Sequence, residues 1–273
     1  MVFLFCCYSK RKTTESLRKQ LVISTFASAQ ENIIMSNGFY ERTELLVGAD
    51  AMQRLMGARV LIVGVGGVGA YAAEMICRAG VGSITIIDAD CVKPSNINRQ
   101  LVALNSTVDK PKVDILEQRL KDINPDANIV ALNVFLDSSN IDDIFANGFD
   151  YVIDAIDSIA PKVALIEYCV THKINIVSSM GAGGKLDPSK IEITDISKTY
   201  QCALARTVRD RLKKSKIYKG VTVVFSTEPV KKEAVIEISD ERNKRSTTGT
   251  ISYIPAVFGC YLASAVIRKI VEK

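Results

Sequence analysis

Residues 60 to 69 read VLIVGVGGVG: four apolar residues of strand character, then Gly64, Gly66 and Gly69 in G-x-G-x-x-G spacing, with Gly67 between them. Glycines so spaced let a strand turn tightly into a helix, let backbone approach a phosphate, and seat the helix against the strand. About twenty residues later comes IIDADCVKPSNINRQ, with Asp88 where a dinucleotide-binding unit places its ribose-binding acid. By itself the glycine pattern is equally a tight turn with no ligand. Its company is unlike a dehydrogenase, because Asp88 is followed by Asn96, Asn98, Arg99 and Gln100.

The apolar runs VLIVG, SITIID, NIVALNV, YVIDAID and INIVSSM alternate with amphipathic stretches near residues 68–80, 110–123, 138–146 and 160–173. Such alternation predicts an α/β fold, Rossmann-like, with a mostly parallel sheet, helices on both faces, and ligands bound beyond the carboxyl ends of the strands. After Gly184 the pattern loosens into KIEITDISKT, a basic helix ALARTVRDRLKKSK, a strand VTVVFST, a polar loop near 238–250 and an apolar C-terminal helix. We expect residues 35–184 to bind the nucleotide and residues 185–273 to form a smaller α+β region of the same domain. The stretch IPAVFGCYLASAVI carries Pro, Gly and Ser and is short for a membrane span, so it reads as a buried helix of a soluble protein.

With 48% hydrophobic residues in 273, there is ample material for a core. Seven scattered cysteines without a C-x-x-C pair point away from zinc and from a disulfide framework, and toward a reducing cytoplasm. MVFLFCCYSKRK places apolar before basic residues, the reverse of a secretory signal. Met35 opens MSNGFYERTELLVG, so residues 1–34 read as a flexible tail or an extension ahead of the true start. Charge is unevenly spread: 5 basic and 2 acidic side chains in residues 1–34, 14 and 21 in 35–197, 16 and 7 in 198–273. A basic surface next to an acidic nucleotide half suits a polyanionic partner, although basic helices are as often plain solvated faces.

The chemistry suggested is anionic. Arg99 on a long loop and Lys112 after Pro111 can hold a triphosphate and neutralise charge as pyrophosphate leaves, and a carboxylate such as Asp157 can hold Mg²⁺. GAGGK at 181–185 is followed by Leu rather than Ser or Thr, so it is no P-loop. His172, the only histidine, sits at a helix end and reads as a cap. Cys202 lacks an activating neighbour and reads as structural.

GVGGVG, IIDAD, N-x-N-R-Q at Asn96–Gln100, K-P-K at 110–112, INP at 123–125 and DAID at 154–157 together resemble the adenylating domain of the ubiquitin-activating superfamily, including the enzymes that adenylate sulfur-carrier proteins. The resemblance implies that Gly64, Gly66, Gly67, Gly69, Asn96 and Asn98 line an ATP site and that Asp88 holds the ribose. It implies further that Arg99 and Lys112 hold the phosphates, that Asp157 sits by Mg²⁺ and the α-phosphate, and that Arg42 reaches the ATP of the partner in a homodimer. YVIDAIDSIAPKVALIEYC, SSMGAGGKLDPSKIEITDISKT, RTVRDRLKK and VVFSTE narrow the likeness to the family of tRNA threonylcarbamoyladenosine dehydratases, from about Phe39 onward. It departs where those enzymes read Asp-Pro-Leu and this chain reads Cys202-Ala203-Leu204.

That family implies ATP-dependent dehydration of threonylcarbamoyladenosine in tRNA: the carboxylate is activated by adenylation and the modification closes to a ring. Arg206, Arg209, Arg211, Lys213, Lys214 and Lys216 are then the expected tRNA contacts. A monovalent cation and sulfur-transfer proteins stay open as further partners; a membrane is not expected. The alternatives are an adenylyltransferase for the C-terminal Gly-Gly of a small ubiquitin-like carrier, which usually has two zinc-binding C-x-x-C pairs, an NAD-linked redox enzyme, and a nucleotide-binding scaffold.

Overall fold

A computed structural model describes residues 38–237 and 246–273, so the expectations for residues 1–34 fall outside the described residues. The chain divides into two units at Gly48. In the first, Phe39 and Tyr40 meet edge to face at 4.7 Å, and helix α1 (Glu41–Val47) ends at Gly48, whose amide returns to Glu44 O at a φ of 84°.

The second unit opens with α2 (Ala49–Gly57) and β1 (Arg59–Val63), then continues α3 (Gly69–Arg78), β2 (Ser83–Ile87), α4 (Lys112–Ile123), β3 (Asn128–Leu132), α5 (Ile141–Phe145) and β4 (Tyr151–Asp154). There follow α6 (Ile159–Thr171), β5 (Asn175–Ser179), β6 (Ile191–Asp195), α7 (Ala203–Leu212), β7 (Thr222–Ser226), β8 (Val235–Glu237), β9 (Ser246–Thr248) and α8 (Tyr253–Val271). Seven strands form one sheet in the order β3-β2-β1-β4-β5-β7-β6, parallel except for β6, which runs antiparallel to β7. Strand order reverses between β1 and β4, which opens a crevice at their carboxyl ends, the ligand position in such sheets. Val60, Leu61, Ile62, Ile84, Ile86, Val152 and Ile153 are all fully buried, as strands covered on both faces require.

The five strands expected from apolar runs are β1 to β5, and β6 and β7, from beyond Gly184, extend the same sheet. α1, α2 and the β8–β9 hairpin were not expected. The paired strands have three residues each, too short for an alternating pattern to register, and they stand eight residues apart in the sequence. α8 is apolar and long enough, by length and composition, to cross a membrane, yet half of it is buried in the fold. It lies close against α3: a Cβ on Gly259 would come within 2.5 Å of Val68 O and 2.8 Å of Tyr71 Cβ.

Candidate active site

The glycine turn sits in the crevice. Gly64 has a φ of 85°, and a Cβ there would lie 2.8 Å from Ala155 O at the end of β4, so only glycine fits. A Cβ on Gly69 would overlap Gly64 O, so α3 can start against the turn only because Gly69 lacks one. Gly66 is different: its absent Cβ would meet only the Gln100 amide, at 3.6 Å, an ordinary contact rather than a clash. Gly67 is tighter, 3.2 Å from Pro255 Cβ. Val68 gives α3 no side-chain cap, which leaves the helix start suited to an anion.

Asp88 follows β2 and staples this turn. Its carboxylate accepts from Val65 N–H and from Asp90 N–H, each at 2.8 Å. Burial pushes its carboxyl above the usual range, against the pull of Lys112 and the two amides. Lys112, 5% exposed at the start of α4, donates to Asp90 Oδ2 at 2.8 Å.

The loop after β2 brings the other expected residues alongside. Buried Asn96 accepts from Lys93 N–H at 3.1 Å and so shapes the loop. Asn98 Nδ2 donates to Thr250 O at 2.9 Å, tying the loop to the segment before α8. Arg99 Nη1 donates to Ser95 O and to Asn98 Oδ1, at 2.9 and 2.8 Å, a local brace for a half-buried guanidinium. Gln100 Oε1 is buried and has no partner, directly beside Gly66.

Asp157 stands exposed on the turn after β4, with Ser158 Oγ donating to it at 3.3 Å. Beneath that turn lies a cluster that sequence reasoning missed: Asp154 and Lys162, both fully buried, pair at 2.7 Å, with Ser178 against both. The available signal was a lone lysine in the apolar start of α6. A second missed group is Lys185 of GAGGK, 2% exposed, which donates to Glu228 O; burial lowers its pKa. The GAGGK loop packs on Thr248 and Thr250 through Gly183, and Tyr253 OH donates to Leu186 O at 2.7 Å. Among the described residues no cluster of three or more His, Cys, Asp or Glu is placed to hold a metal.

α7 starts at the site. Its N-cap Cys202, 8% exposed, lies beside Gly181, and the helix then runs away from the crevice. Ser215, in the turn after α7, reaches Glu167, eight residues into α6 from its site end, which is about 12 Å at 1.5 Å per residue. Lys213, Lys214 and Lys216 are therefore exposed well below the rim, with Arg206 nearer to it. Arg209 is half-buried and turned inward, donating to Thr199 O at 2.9 Å and to Thr199 Oγ1. His172 Nδ1 lies 2.9 Å from Tyr168 O at the end of α6, far from the crevice. Arg42 lies on α1, in the other unit.

Fold and site define a class: a doubly wound α/β protein with a glycine-turn anion cradle at its switch point. The chain belongs to the ThiF family, whose model matches residues 40–273. It is 39% identical over 240 residues to the tRNA threonylcarbamoyladenosine dehydratase of Bacillus subtilis (strain 168), covering 85% of this chain and 94% of that protein. Its fold is similar to the crystal structure of Escherichia coli tRNA N6-threonylcarbamoyladenosine dehydratase in complex with ATP, with a TM-score of 0.78, 37% identity, and coverage of 87% of this chain and 96% of that one. Likeness to the Saccharomyces cerevisiae (strain YJM789) adenylyltransferase and sulfurtransferase UBA4 is 35% over 155 residues, covering 57% of this chain and 35% of that protein.

Proposed function

We propose that this chain is an ATP-dependent tRNA threonylcarbamoyladenosine dehydratase, which activates the carboxylate of the modification and closes it to a ring. One observation carries the reading: the glycine cradle, Asp88, the orphaned Gln100 Oε1, Arg99, Lys112 and Asp157 converge on one edge of the sheet. The residues fit ATP. The glycine backbone of the turn and the uncapped start of α3 suit phosphate oxygens, and a ribose hydroxyl would give Gln100 Oε1 the donor it lacks. Asp157 supplies one exposed carboxylate for Mg²⁺, which binds readily through a carboxylate plus phosphates.

A carboxylate is a poor electrophile until its oxygen can leave. In the proposed reaction the threonyl carboxylate attacks the α-phosphorus and pyrophosphate leaves. A nucleophilic atom of the same modification then attacks the acyl carbon, and AMP departs with the former carboxylate oxygen, which accounts for the net loss of water. Arg99 and Lys112 neutralise the departing phosphates, and Arg42 of a second subunit does the same across a homodimer. Because both reacting ends belong to one nucleoside held in place, ring closure is effectively unimolecular and uses no enzyme thiol. The exposed cations on and after α7, Arg206, Arg211, Lys213, Lys214 and Lys216, hold tRNA phosphates, and the enzyme works in the cytoplasm.

The rival activity, adenylation of a Gly-Gly carrier, draws on a relative whose likeness covers 57% of the chain, against 85% for the dehydratase. The test is incubation with ATP, Mg²⁺ and threonylcarbamoylated tRNA, followed by mass spectrometry of the nucleosides. The modified nucleoside should lose the mass of one water. Pyrophosphate release that requires a carrier protein and leaves the tRNA unchanged would overturn the reading.

A further inference from the structure

The start of α6 reads IAPKVALI, and its lysine is the largest fully buried side chain among the described residues. Lys162 has three N–H donors and three acceptors: Asp154 Oδ2 at 2.7 Å, Ser178 Oγ at 3.3 Å and Ser179 O at 2.9 Å. Asp154 Oδ2 also accepts from Ser178 Oγ at 2.5 Å, while Oδ1 accepts from Ile156 N–H at 3.0 Å. Four pieces of chain are stitched together at one point: the ends of β4 and β5, the first turn of α6, and the turn at residues 155–158.

Burying two ions costs desolvation that their attraction roughly offsets, so such a pair adds little stability over apolar residues of the same volume. What apolar residues cannot supply is direction. The carboxylate fixes the amide of Ile156, one residue before Asp157, and Ala155 of the same turn abuts Gly64 in the glycine cradle. The ammonium fixes the carbonyl of Ser179, where the chain enters the GAGGK loop. Both loops that flank the crevice on this side are held by one buried pair.

We propose that Asp154 and Lys162 are positioning residues for the adenylation step, setting the 155–158 turn and its Asp157 against the glycine cradle without touching substrate. The proposal rests on the reading above for the reaction, and on Asp157 as the group positioned. It assigns to the pair a loss of turnover rather than of nucleotide affinity or of fold, since misplacement of a reacting group by about 1 Å costs on the order of 100-fold in rate.

The test replaces the whole polar cluster by apolar residues, in a variant carrying Asp154→Leu, Lys162→Met and Ser178→Ala, so that no uncompensated charge is left inside. This variant should melt within a few degrees of the wild type and keep its KM for ATP within about two-fold, while kcat on threonylcarbamoylated tRNA falls by roughly 100-fold. Hydrogen exchange should show the amides of residues 155–158 opening at least about ten-fold faster, with β4 unchanged. A folded variant with wild-type kcat, or with unchanged exchange in that turn, overturns the proposal. Should the triple variant not fold, Ser178→Ala alone, which leaves the ion pair in place, should lower kcat several-fold at constant KM, and no change there overturns it equally. Wild-type protein inactive on the tRNA would sink the assigned function instead, and the exchange comparison in MgATP would still judge the positioning.

Discussion

The ammonium of Lys112 lies 2.8 Å from the carboxylate of Asp90, two residues past Asp88 on the loop leaving β2. The lysine side chain is 6% exposed and the aspartate 68%, so the cation is held inside while its counter-ion reaches into solvent. A phosphate that engages Lys112 competes with Asp90 for its charge. Removing Asp90 should therefore help the ligand: Asp90→Ala should tighten ATP binding by about 5-fold, some 1 kcal/mol, the upper range for a pair with one exposed member. Lys112→Ala should weaken binding. Calorimetric titration with MgATP checks both, and weaker binding by Asp90→Ala would mean that Asp90 orients the lysine rather than competing for it.

Asp157→Ala and Arg99→Ala should each abolish turnover and leave the melting temperature within a few degrees, because Asp157 is exposed and Arg99 braces only its own loop. Arg42→Ala should also be inactive. If Arg42 serves the partner's site, mixing Arg42→Ala with Asp157→Ala subunits should restore partial activity, since each mixed dimer holds one intact composite site. No recovery from a mixture shown to exchange subunits would mean that Arg42 does not serve the partner's site.

The exposed cations after α7 predict a salt-sensitive tRNA interaction, with a log–log slope of about −0.7 to −0.9 per phosphate contact. Reversing charge at Lys213 and Lys214 should raise the KM for tRNA and flatten that slope without changing ATP affinity. Arg209 should behave differently. It is engaged with Thr199, so Arg209→Ala should act mainly through stability. Wild-type salt dependence in the Lys213/Lys214 variant would make the helix end a solvated face.

Glu74 on α3 is nearly buried and receives Arg119 Nε at 2.6 Å and Arg78 Nε at 2.8 Å. Burial raises its carboxyl, but the two guanidinium groups outweigh that and hold it below the ordinary value of 4.5. A carboxyl whose folded pKa is depressed stabilises the fold fully above its unfolded pKa and loses that contribution as pH falls through the folded one. Stability from Glu74 should thus be complete at neutral pH and disappear in acid, below about pH 4.5. Urea unfolding should show Glu74→Gln less stable by about 1–2 kcal/mol at neutral pH, modest because both arginines are nearly half exposed, with the gap closing toward pH 3. A gap independent of pH would rule out the ion pairs as its source.

The features legible in the sequence are those with local causes. Gly64 and Gly69 were readable because a strand that must turn into a helix at close range leaves no room for a Cβ, and that demand is written within six residues. The β1–β5 runs were readable because strands buried on both faces must be apolar throughout. Asp88, Arg99, Lys112 and Asp157 were nameable from motif spacing, and the fold brings all four and the glycine turn to one edge through strand ends and helix starts that the same pattern implied.

Partnership was not legible. That Lys112 would sit against Asp90, that Asn98 would hold Thr250 from 152 residues away, that Arg209 would turn inward among five outward cations, and that Lys162 would be swallowed with Asp154 and Ser178 depend on which elements pack together. A charged side chain gives the same local signal whether it faces water or a buried counter-ion. The period of the elements and the residue types at the crevice follow from local sequence, because backbone sterics and burial act over a few residues. Which charges remain available to a ligand is settled by packing, because desolvation and pairing are set by neighbours far along the chain.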